Sequence, residues 1–152
     1  MKTIEVSIKT AKQEDILIHL LHCNTDFNPY LEKRVDLNSF ATKIYTQAIS
    51  FEVWVDQSIV ALLSGYVNDL ENKVAYINHV SVLKEFRGKG ISKVLLDKFI
   101  QYSKDQNFKN IKLEVSENNR TAISLYEKHH FTIENIVSGK IIMIKNLTGV
   151  NE

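Results

Sequence analysis

The stretch Arg87-Gly88-Lys89-Gly90-Ile91-Ser92 separates an apolar run, Tyr76 to Leu83, from an amphipathic run that continues to about Lys104. The apolar run predicts a strand, and the amphipathic run predicts a helix. Glycines at this junction permit a positive φ and let the backbone approach a ligand closely. The first amides of a helix lack partners within it and lie at the positive end of its dipole, so they bind phosphate groups. The stretch therefore predicts a strand–turn–helix unit that holds a phosphate-bearing ligand.

On either side of this unit, apolar alternation and helical periodicity predict further strands and helices. Their order is β-α-α-β-β-β-α-β-α-β-β, with hairpin turns at Asp56-Gln57 and Ser138-Gly139. A capping box at Thr10-x-x-Gln13 and an N-cap at Asp36 are predicted to begin the first two helices. We predict an α+β fold in which six or seven strands form a mixed, mostly antiparallel sheet with about four helices on its two faces. The strands that flank helix 91–104 are expected to be parallel neighbours.

Length, composition and charge exclude several classes of protein. The chain has 152 residues, 44% of them hydrophobic and 24% charged, which predicts one globular domain over residues 1–152. A net charge of +1 favours neither nucleic acid nor a membrane surface as a partner. The sequence has no apolar run of about 18 residues, and its start lacks the apolar core of a signal peptide. One cysteine, Cys23, excludes an intrachain disulfide and fits the reducing cytoplasm, where we expect the protein.

Two blocks of the sequence resemble the GNAT family of N-acetyltransferases. Val80 to Ser92, V-S-V-L-K-E-F-R-G-K-G-I-S, is similar to the acetyl-CoA signature R/Q-x-x-G-x-G/A, with Arg87 and Gly90 as the matching residues. Ser92 stands where the family has glycine or alanine. Leu113 to Phe131 is similar to the later motif L-x-V-x-x-x-N-x-x-A-x-x-L-Y-x-x-x-G-F, with His130 in place of the glycine. Because both blocks occur at the family's separation, the resemblance is stronger than the hexapeptide alone would make it.

This resemblance implies acetyl-CoA as the cosubstrate and assigns residues to it. The pantetheine arm would lie where two parallel strands splay apart and would bind their exposed backbone. Amides of the Gly-rich turn would hold the diphosphate, and Tyr126 would protonate the leaving thiolate as general acid. The residues expected to bind the cosubstrate are Val80, Val82, Arg87, Gly88, Lys89, Gly90, Ile91, Ser92 and Asn119. No metal is expected, since His129-His130 has no third ligand nearby.

The acceptor side is less defined by the sequence. Tyr76 and Asn78 lie upstream on the strand that would carry the cosubstrate, and Phe27 and Tyr30 lie in the 23–34 loop, which in this family borders the acceptor pocket. A base must take the proton of the acceptor amine, but this strand lacks the carboxylate that the family often has there. The candidates that the sequence offers are His79 and Glu114. His79 is interpreted first as a buried structural histidine, because a regular strand directs it to the opposite face unless a bulge re-aims it.

These observations predict direct transfer of acetyl from acetyl-CoA to a primary amine. A small molecule is the first candidate for the acceptor, with an amino sugar foremost, because the 23–34 loop is rich in hydrogen-bonding groups. A protein or peptide amine is the alternative acceptor. A non-catalytic acyl-CoA-binding regulatory module is the alternative of another class: the missing carboxylate favours it, and Tyr126 argues against it. Homodimers are common in the family, and that state extends to this chain by analogy only.

Overall fold

The computed structural model describes residues 4–148, which form strands and helices in the predicted order. The α-helices in this range are Gln13–Cys23 (α1), Leu37–Gln47 (α2), Ile91–Asp105 (α3) and Arg120–Lys128 (α4). The strands are Ser7–Ile8 (β1), Ile49–Val55 (β2), Ser58–Asp69 (β3), Val74–Val82 (β4), Asn110–Ser116 (β5), Thr132–Val137 (β6) and Lys140–Asn146 (β7). Short 3₁₀ helices occupy Asn24–Asp26, Leu31–Lys33 and Lys84–Phe86.

The strands form one seven-stranded sheet in the order β1-β2-β3-β4-β5-β7-β6. β4 and β5 pair in parallel, as predicted for the strands that flank α3. β2 pairs antiparallel with β1 and β3, and β7 pairs antiparallel with β5 and β6. The predicted α+β fold with a mixed, mostly antiparallel sheet is confirmed. None of the helices within residues 4–148 has the length and apolarity that crossing a bilayer requires.

Most of the turns and helix caps that the local sequence predicts are present in the structure. Asp56 and Gln57 turn between β2 and β3 with φ of 49° and 66°, and Ser138 and Gly139 turn between β6 and β7 with φ of 50° and 81°. Asp36 is the N-cap of α2, because its Oδ1 accepts a hydrogen bond from the Asn38 amide at 3.1 Å. Gly139 and Asp56 are of types that adopt the left-handed region readily, and Asp36 accepts from an unpaired helix amide, so these features can be predicted from the sequence.

The predicted capping box at Thr10 and Gln13 is wrong. α1 begins at Gln13 with Lys12 as its N-cap, and the Lys12 amide donates to Asp15 Oδ2 at 2.9 Å. Thr10 instead bonds through its amide and hydroxyl to Glu52, a fully buried carboxylate on β2. A buried carboxylate needs hydrogen-bond donors around it. Thr10 donates to Glu52 and therefore does not cap α1.

The chain divides into two compact units, and each has its own core. The first comprises Met1–Gly65 and His79–Phe99. In it, Phe51 and Phe99 pack edge to face with ring centroids 5.5 Å apart. A Cβ at Gly65 would lie 2.3 Å from the ring of Phe99, so this position on β3 has room only for glycine.

The second unit comprises Tyr66–Asn78 and Ile100–Glu152. Its core is formed by side chains of β5 and β7 with one aromatic residue of α4 and one that follows this helix. Tyr126 packs against Phe131 with ring centroids 5.6 Å apart. The fully or nearly fully buried members of this core include Ile111, Leu113, Phe131 and Met143.

Candidate active site

The Gly-rich turn has the backbone conformation that the sequence predicts. Gly88 and Gly90 both have φ of 78°, and α3 begins at Ile91. A Cβ at either glycine would meet nothing within 4 Å, so the glycines are needed for their conformation rather than for space. The Gly90 carbonyl accepts from the Val94 amide at 3.2 Å, which makes Gly90 the residue from which the helix starts. The first amides of α3 therefore lack partners within the helix and are suited to an anion.

Arg87 is engaged by the protein itself. Its Nε donates to the Val82 carbonyl at 3.1 Å, and its Nη2 lies 2.9 Å from Asp26 Oδ2. The guanidinium thus joins the end of β4 to the short helix Asn24–Asp26, while Lys89 is exposed in the same turn. The predicted role of Arg87 as a direct cosubstrate ligand would require it to exchange one of these partners.

The parallel pairing of β4 and β5 ends before either strand does. The register runs from Val74 with Asn110 to Ile77 with Leu113, whereas β4 continues to Val82 and β5 to Ser116. Val80 and Val82 lie on the part of β4 beyond this register. The sequence resemblance assigns the backbone of these two residues to the pantetheine arm, which would add to it as an extended ligand.

Asn78 is the first residue of β4 beyond that register. Both polar atoms of its side chain, Nδ2 and Oδ1, are buried, and neither has a hydrogen-bond partner among residues 4–148. Leaving a buried polar group unpaired costs about 1–3 kcal/mol. A ligand that bonds to this amide would recover that cost, which supports the sequence assignment of Asn78 to the substrate.

Asn119 and Tyr126 lie seven residues apart at the beginning and near the end of α4. Asn119 is the N-cap, and its Oδ1 accepts from the Ala122 amide at 3.2 Å. Tyr126 is only 7% exposed, and burial raises the pKa of its hydroxyl to about 12. The phenol therefore keeps its proton across the physiological range, as a general acid must.

Two other residues near β5 were candidates for the acceptor side. Tyr76 is half-buried, and burial, with smaller contributions from Glu114 and Tyr66, raises the pKa of its hydroxyl. Glu114 is exposed, and its Oε2 lies 3.3 Å from Lys140 Nζ. The carboxylate proposed as an alternative base thus already has a cationic partner.

The connection between α1 and α2 carries the two aromatic residues assigned to the acceptor side, Phe27 and Tyr30. Phe27 stacks on His79 with ring centroids 5.7 Å apart and an interplanar angle of 26°. The guanidinium of Arg34 lies 5.3 Å from the centroid of the same Phe27 ring. Tyr30 is 47% exposed. Phe27 thus contacts both an imidazole and a guanidinium, while Tyr30 lies at the surface.

A buried cluster of His19, Ser81 and His79 was not foreseen from the sequence. Ser81 Oγ lies 2.6 Å from His19 Nε2 and 2.9 Å from His79 Nε2. His79 does lie on the opposite face of β4 from Tyr76 and Asn78, as a regular strand predicts. Only the alternation His79-Val80-Ser81 signals a polar face there, and His19 joins it from 62 residues away, a separation that no local pattern reveals.

Neither a nucleophilic thiolate nor a metal-binding cluster is present among the described residues. Cys23 is buried, and burial raises the pKa of its thiol to about 11, so it is not a thiolate nucleophile at neutral pH. Among the described residues, no group of three or more His, Cys, Asp or Glu side chains is placed to hold a metal ion.

Comparison with known proteins identifies relatives for most of the chain. The family model of the acetyltransferase (GNAT) family matches residues 15–131. An uncharacterised N-acetyltransferase of Methanocaldococcus jannaschii is 28% identical over 119 residues, which cover 78% of this chain and 49% of that protein. Streptothricin acetyltransferase A of Bacillus subtilis is 39% identical over 62 residues, covering 41% of this chain and 36% of that protein. The chain spans about half the length, or less, of these two relatives.

A solved structure shares the fold. The PaiA N-acetyltransferase of Thermoplasma acidophilum, in complex with coenzyme A, superimposes with a TM-score of 0.69 at 16% identity. The match covers 94% of this chain and 99% of that one. At this identity the likeness concerns the arrangement of strands and helices.

Proposed function

Because the chain belongs to the GNAT acetyltransferase family, we propose that it transfers the acetyl group of acetyl-CoA directly to the primary amine of a small molecule. The observation that carries this proposal is the Gly88–Gly90 turn, whose two positive φ angles lead into α3. Such a turn binds a diphosphate through main-chain donors and needs no metal. Coenzyme A carries a diphosphate, and a relative of the same fold has been solved with it.

The cosubstrate is held by three sets of groups in this proposal. The amides from Gly88 to Ser92 bind the diphosphate, and Lys89 adds positive charge. The backbone of Val80 and Val82 binds the pantetheine arm in the manner of an added strand. Asn119 uses the part of its amide that does not cap α4.

The chemistry requires one bond to form and one to break. The amine nitrogen attacks the thioester carbonyl carbon, the C–S bond breaks, and coenzyme A leaves as a thiolate. The Tyr126 hydroxyl, which is neutral at pH 7, donates its proton to that sulfur. The amine gives up one proton to solvent as it becomes an amide, and Tyr126 regains its proton from solvent, so that the products are the amide and the free thiol of coenzyme A.

The acceptor is proposed to be a small polar amine, with an amino sugar as the first candidate. Asn78 offers a buried amide that has no hydrogen-bond partner in the part of the chain that the structure describes, which suits a hydroxyl-bearing molecule. Tyr76, Phe27 and Tyr30 are the other residues assigned to it. Similarity to a streptothricin acetyltransferase over 62 residues favours a small molecule over a protein.

An amine panel with detection of free thiol tests the function. Acetyl-CoA is incubated with the protein and, in turn, with glucosamine, streptothricin, spermidine and a peptide with a free N-terminus. We expect thiol release that depends on both the protein and a small amine, with an acetylated product seen by mass spectrometry. Release with the peptide alone would assign the chain to protein substrates. Tight binding of acetyl-CoA without any amine-dependent release would make the chain a regulatory acyl-CoA-binding module.

We also propose that the chain acts as one domain over residues 1–152 in the cytoplasm, as a homodimer. The buried, unpaired thiol of Cys23 suits a reducing compartment. Light scattering measures the oligomeric state, and a single unfolding transition in urea would support one domain.

A further inference from the structure

β6 is the last strand of the sheet, and its outer edge pairs with no other strand among residues 4–148. All six of its residues are exposed. Three of them are large and apolar: Ile133, Ile136 and Val137 are 50%, 56% and 54% exposed. A strand edge presents main-chain donors and acceptors that can pair with a further strand. β6 therefore combines a main-chain edge with half-exposed apolar side chains.

β6 has few of the features that protect the edges of natural sheets. Such edges are very short, carry proline or lysine, or contain a bulge that obstructs regular pairing. β1, at the other end of the strand order, has only two residues. β6 has six residues without proline or lysine, and it contains a bulge between Ile133 and Asn135. A partner strand must therefore accommodate this bulge.

The bulge places two isoleucines of β6 on the same face of the sheet. Ile133 lies opposite Met143 of β7, and Ile136 lies opposite Ile141. Residues three apart in a regular strand would lie on opposite faces. Met143 and Ile141 are alternate residues of β7 and are both buried. Ile133 and Ile136 therefore continue the apolar face of β7 to the edge of the sheet, where they are half-exposed.

The other residues of β6 lie on the opposite face. Their partners in β7 are the remaining alternate residues, in the pairs Thr132 with Ile144, Asn135 with Ile142 and Val137 with Lys140. Glu134 is the extra residue of the bulge, and its carboxylate lies 3.0 Å from Lys112 Nζ. Because Lys112 lies opposite Ile144 in the sheet, Glu134 belongs to this second face as well.

These faces make β6 complementary to a second copy of itself. Among antiparallel registers that pair more than half of β6, one keeps each face together, with the two-fold axis between Glu134 and Asn135. Ile133 then lies opposite Ile136 of the second copy, and Thr132 opposite Val137. Moving the register by one residue in either direction places an isoleucine opposite a residue of the other face.

The bulge also favours a second copy over a strand of another protein. Glu134 is one residue more than a regular strand has at this point, so a regular strand would lose its register there. A second β6 has the same extra residue, and both strands then keep equal numbers of residues. The charges fit as well, because Glu134 meets Asn135 rather than a second Glu134, and its own carboxylate is paired with Lys112.

We propose that two copies of the chain pair through antiparallel β6 strands and so join their sheets across a two-fold axis. The inference rests on the homodimer of the proposed function and names its surface. Ile133 and Ile136 of both copies form one apolar stripe across the junction. The Ile136 amide already donates to Asn135 Oδ1 at 2.9 Å, so the other main-chain groups of the edge supply the hydrogen bonds between the strands.

Ile136→Lys tests the surface, and sedimentation velocity over about 1–300 μM of chain brackets micromolar dissociation constants. We expect a wild-type dimer that Ile136→Lys weakens by about 100-fold or more, because each interface loses two apolar contacts and buries two charges. Ile18→Lys is the matched control at an isoleucine of α1 that is 49% exposed, and it should sediment like wild type. Both side chains are exposed, so both variants should keep the circular dichroism of wild type.

Cysteine cross-linking tests the register without a charge in the interface. Ile133→Cys and Ile136→Cys chains are prepared separately, mixed and oxidised, and the products are separated on a non-reducing gel. The mixture should form a disulfide-linked dimer, because these two positions lie opposite each other. Ile133→Cys alone should not, since its two copies lie three residues apart along the strands, beyond the reach of a disulfide. The native Cys23 is buried and should stay unlinked.

The outcomes separate the surface from the homodimer and from the enzyme. A wild-type dimer that Ile136→Lys weakens no more than Ile18→Lys does would overturn β6 pairing and leave the homodimer standing. A wild type that is monomeric over the whole range would overturn both. A cross-link in Ile133→Cys alone, absent from the mixture, would contradict the proposed register. Amine-dependent thiol release is measured independently, so the N-acetyltransferase function is tested by its own panel.

Discussion

The Gly-rich turn and the buried histidine cluster belong to the same compact unit but are built in opposite ways. The turn is exposed and contiguous, and its chemistry is that of main-chain amides held by two glycines at φ of 78°. The cluster is buried, and its chemistry is that of side chains from α1 and β4, joined through Ser81. The turn should therefore be sensitive to backbone strain and charge, and the cluster to protonation and to the loss of single atoms.

The largest effect is expected at the turn. Gly90→Glu places a side chain at a positive φ and a negative charge beside the proposed diphosphate, so affinity for coenzyme A should fall by about 100-fold or more, given the 1–2 kcal/mol strain of a left-handed residue and the added repulsion. Calorimetric titration measures the loss. Gly139→Ala is the control, because Gly139 also has a positive φ, of 81°, but lies in the β6–β7 hairpin. Unchanged affinity in Gly90→Glu would show that the turn does not bind the diphosphate of coenzyme A.

The next effect concerns Tyr126 and separates turnover from binding. Tyr126→Phe deletes the proposed proton donor, so kcat should fall by about 100-fold, while affinity for coenzyme A stays the same. Tyr45→Phe, at a residue that is 46% exposed on α2, serves as the control. Steady-state kinetics and calorimetry measure the two quantities. Equal turnover in both variants would show that the thiolate leaves without the phenol.

Acid sensitivity should come from the cluster rather than from the turn. His19 has a pKa of about 4 when folded against 6.5 as the reference value, so the unfolded chain binds more protons between these values and stability falls as the pH falls through this window. The shift corresponds to roughly 3 kcal/mol at full extent. His79 has its pKa lowered in the same direction, and its loss extends to about pH 3.

Urea unfolding at pH 7 and at pH 4.5 measures this loss. His79→Phe, which removes one of the two buried imidazoles, should lose less unfolding free energy between the two values than wild type. His130→Asn, at an exposed position after α4, should lose as much as wild type. An identical loss in wild type and His79→Phe would mean that other groups cause the acid sensitivity.

The smallest effect is expected where the turn meets the α1–α2 connection. Asp26→Asn removes the partner of Arg87 and one negative charge near the diphosphate. A half-exposed ion pair is worth at most about 1 kcal/mol, so affinity for coenzyme A should rise by about two- to fivefold at low salt. Asp97→Asn removes the exposed partner of Lys93 on α3 and is the control. A fall in affinity would mean that Asp26 holds Arg87 in its binding position.

The same contrast explains how much could be predicted from the sequence. The turn, the hairpins and the Asp36 cap depend on neighbouring residues, and the sequence shows them. The capping box at Thr10 failed because Glu52, 42 residues away, recruits Thr10. The His19–Ser81–His79 cluster and the engagement of Arg87 by Asp26 stayed hidden for the same reason: their partners are distant in sequence, and only packing brings them together.

The claim on which the rest depends is that main-chain amides of the turn hold a diphosphate. A ¹H–¹⁵N correlation spectrum recorded during titration with coenzyme A tests it residue by residue, with pantetheine, which lacks the diphosphate, as the comparison ligand. We expect the amide signals of residues 88–92 to shift strongly with coenzyme A and little with pantetheine, while that of Gly139 stays in place. Unmoved signals at 88–92 in the presence of saturating coenzyme A would contradict it.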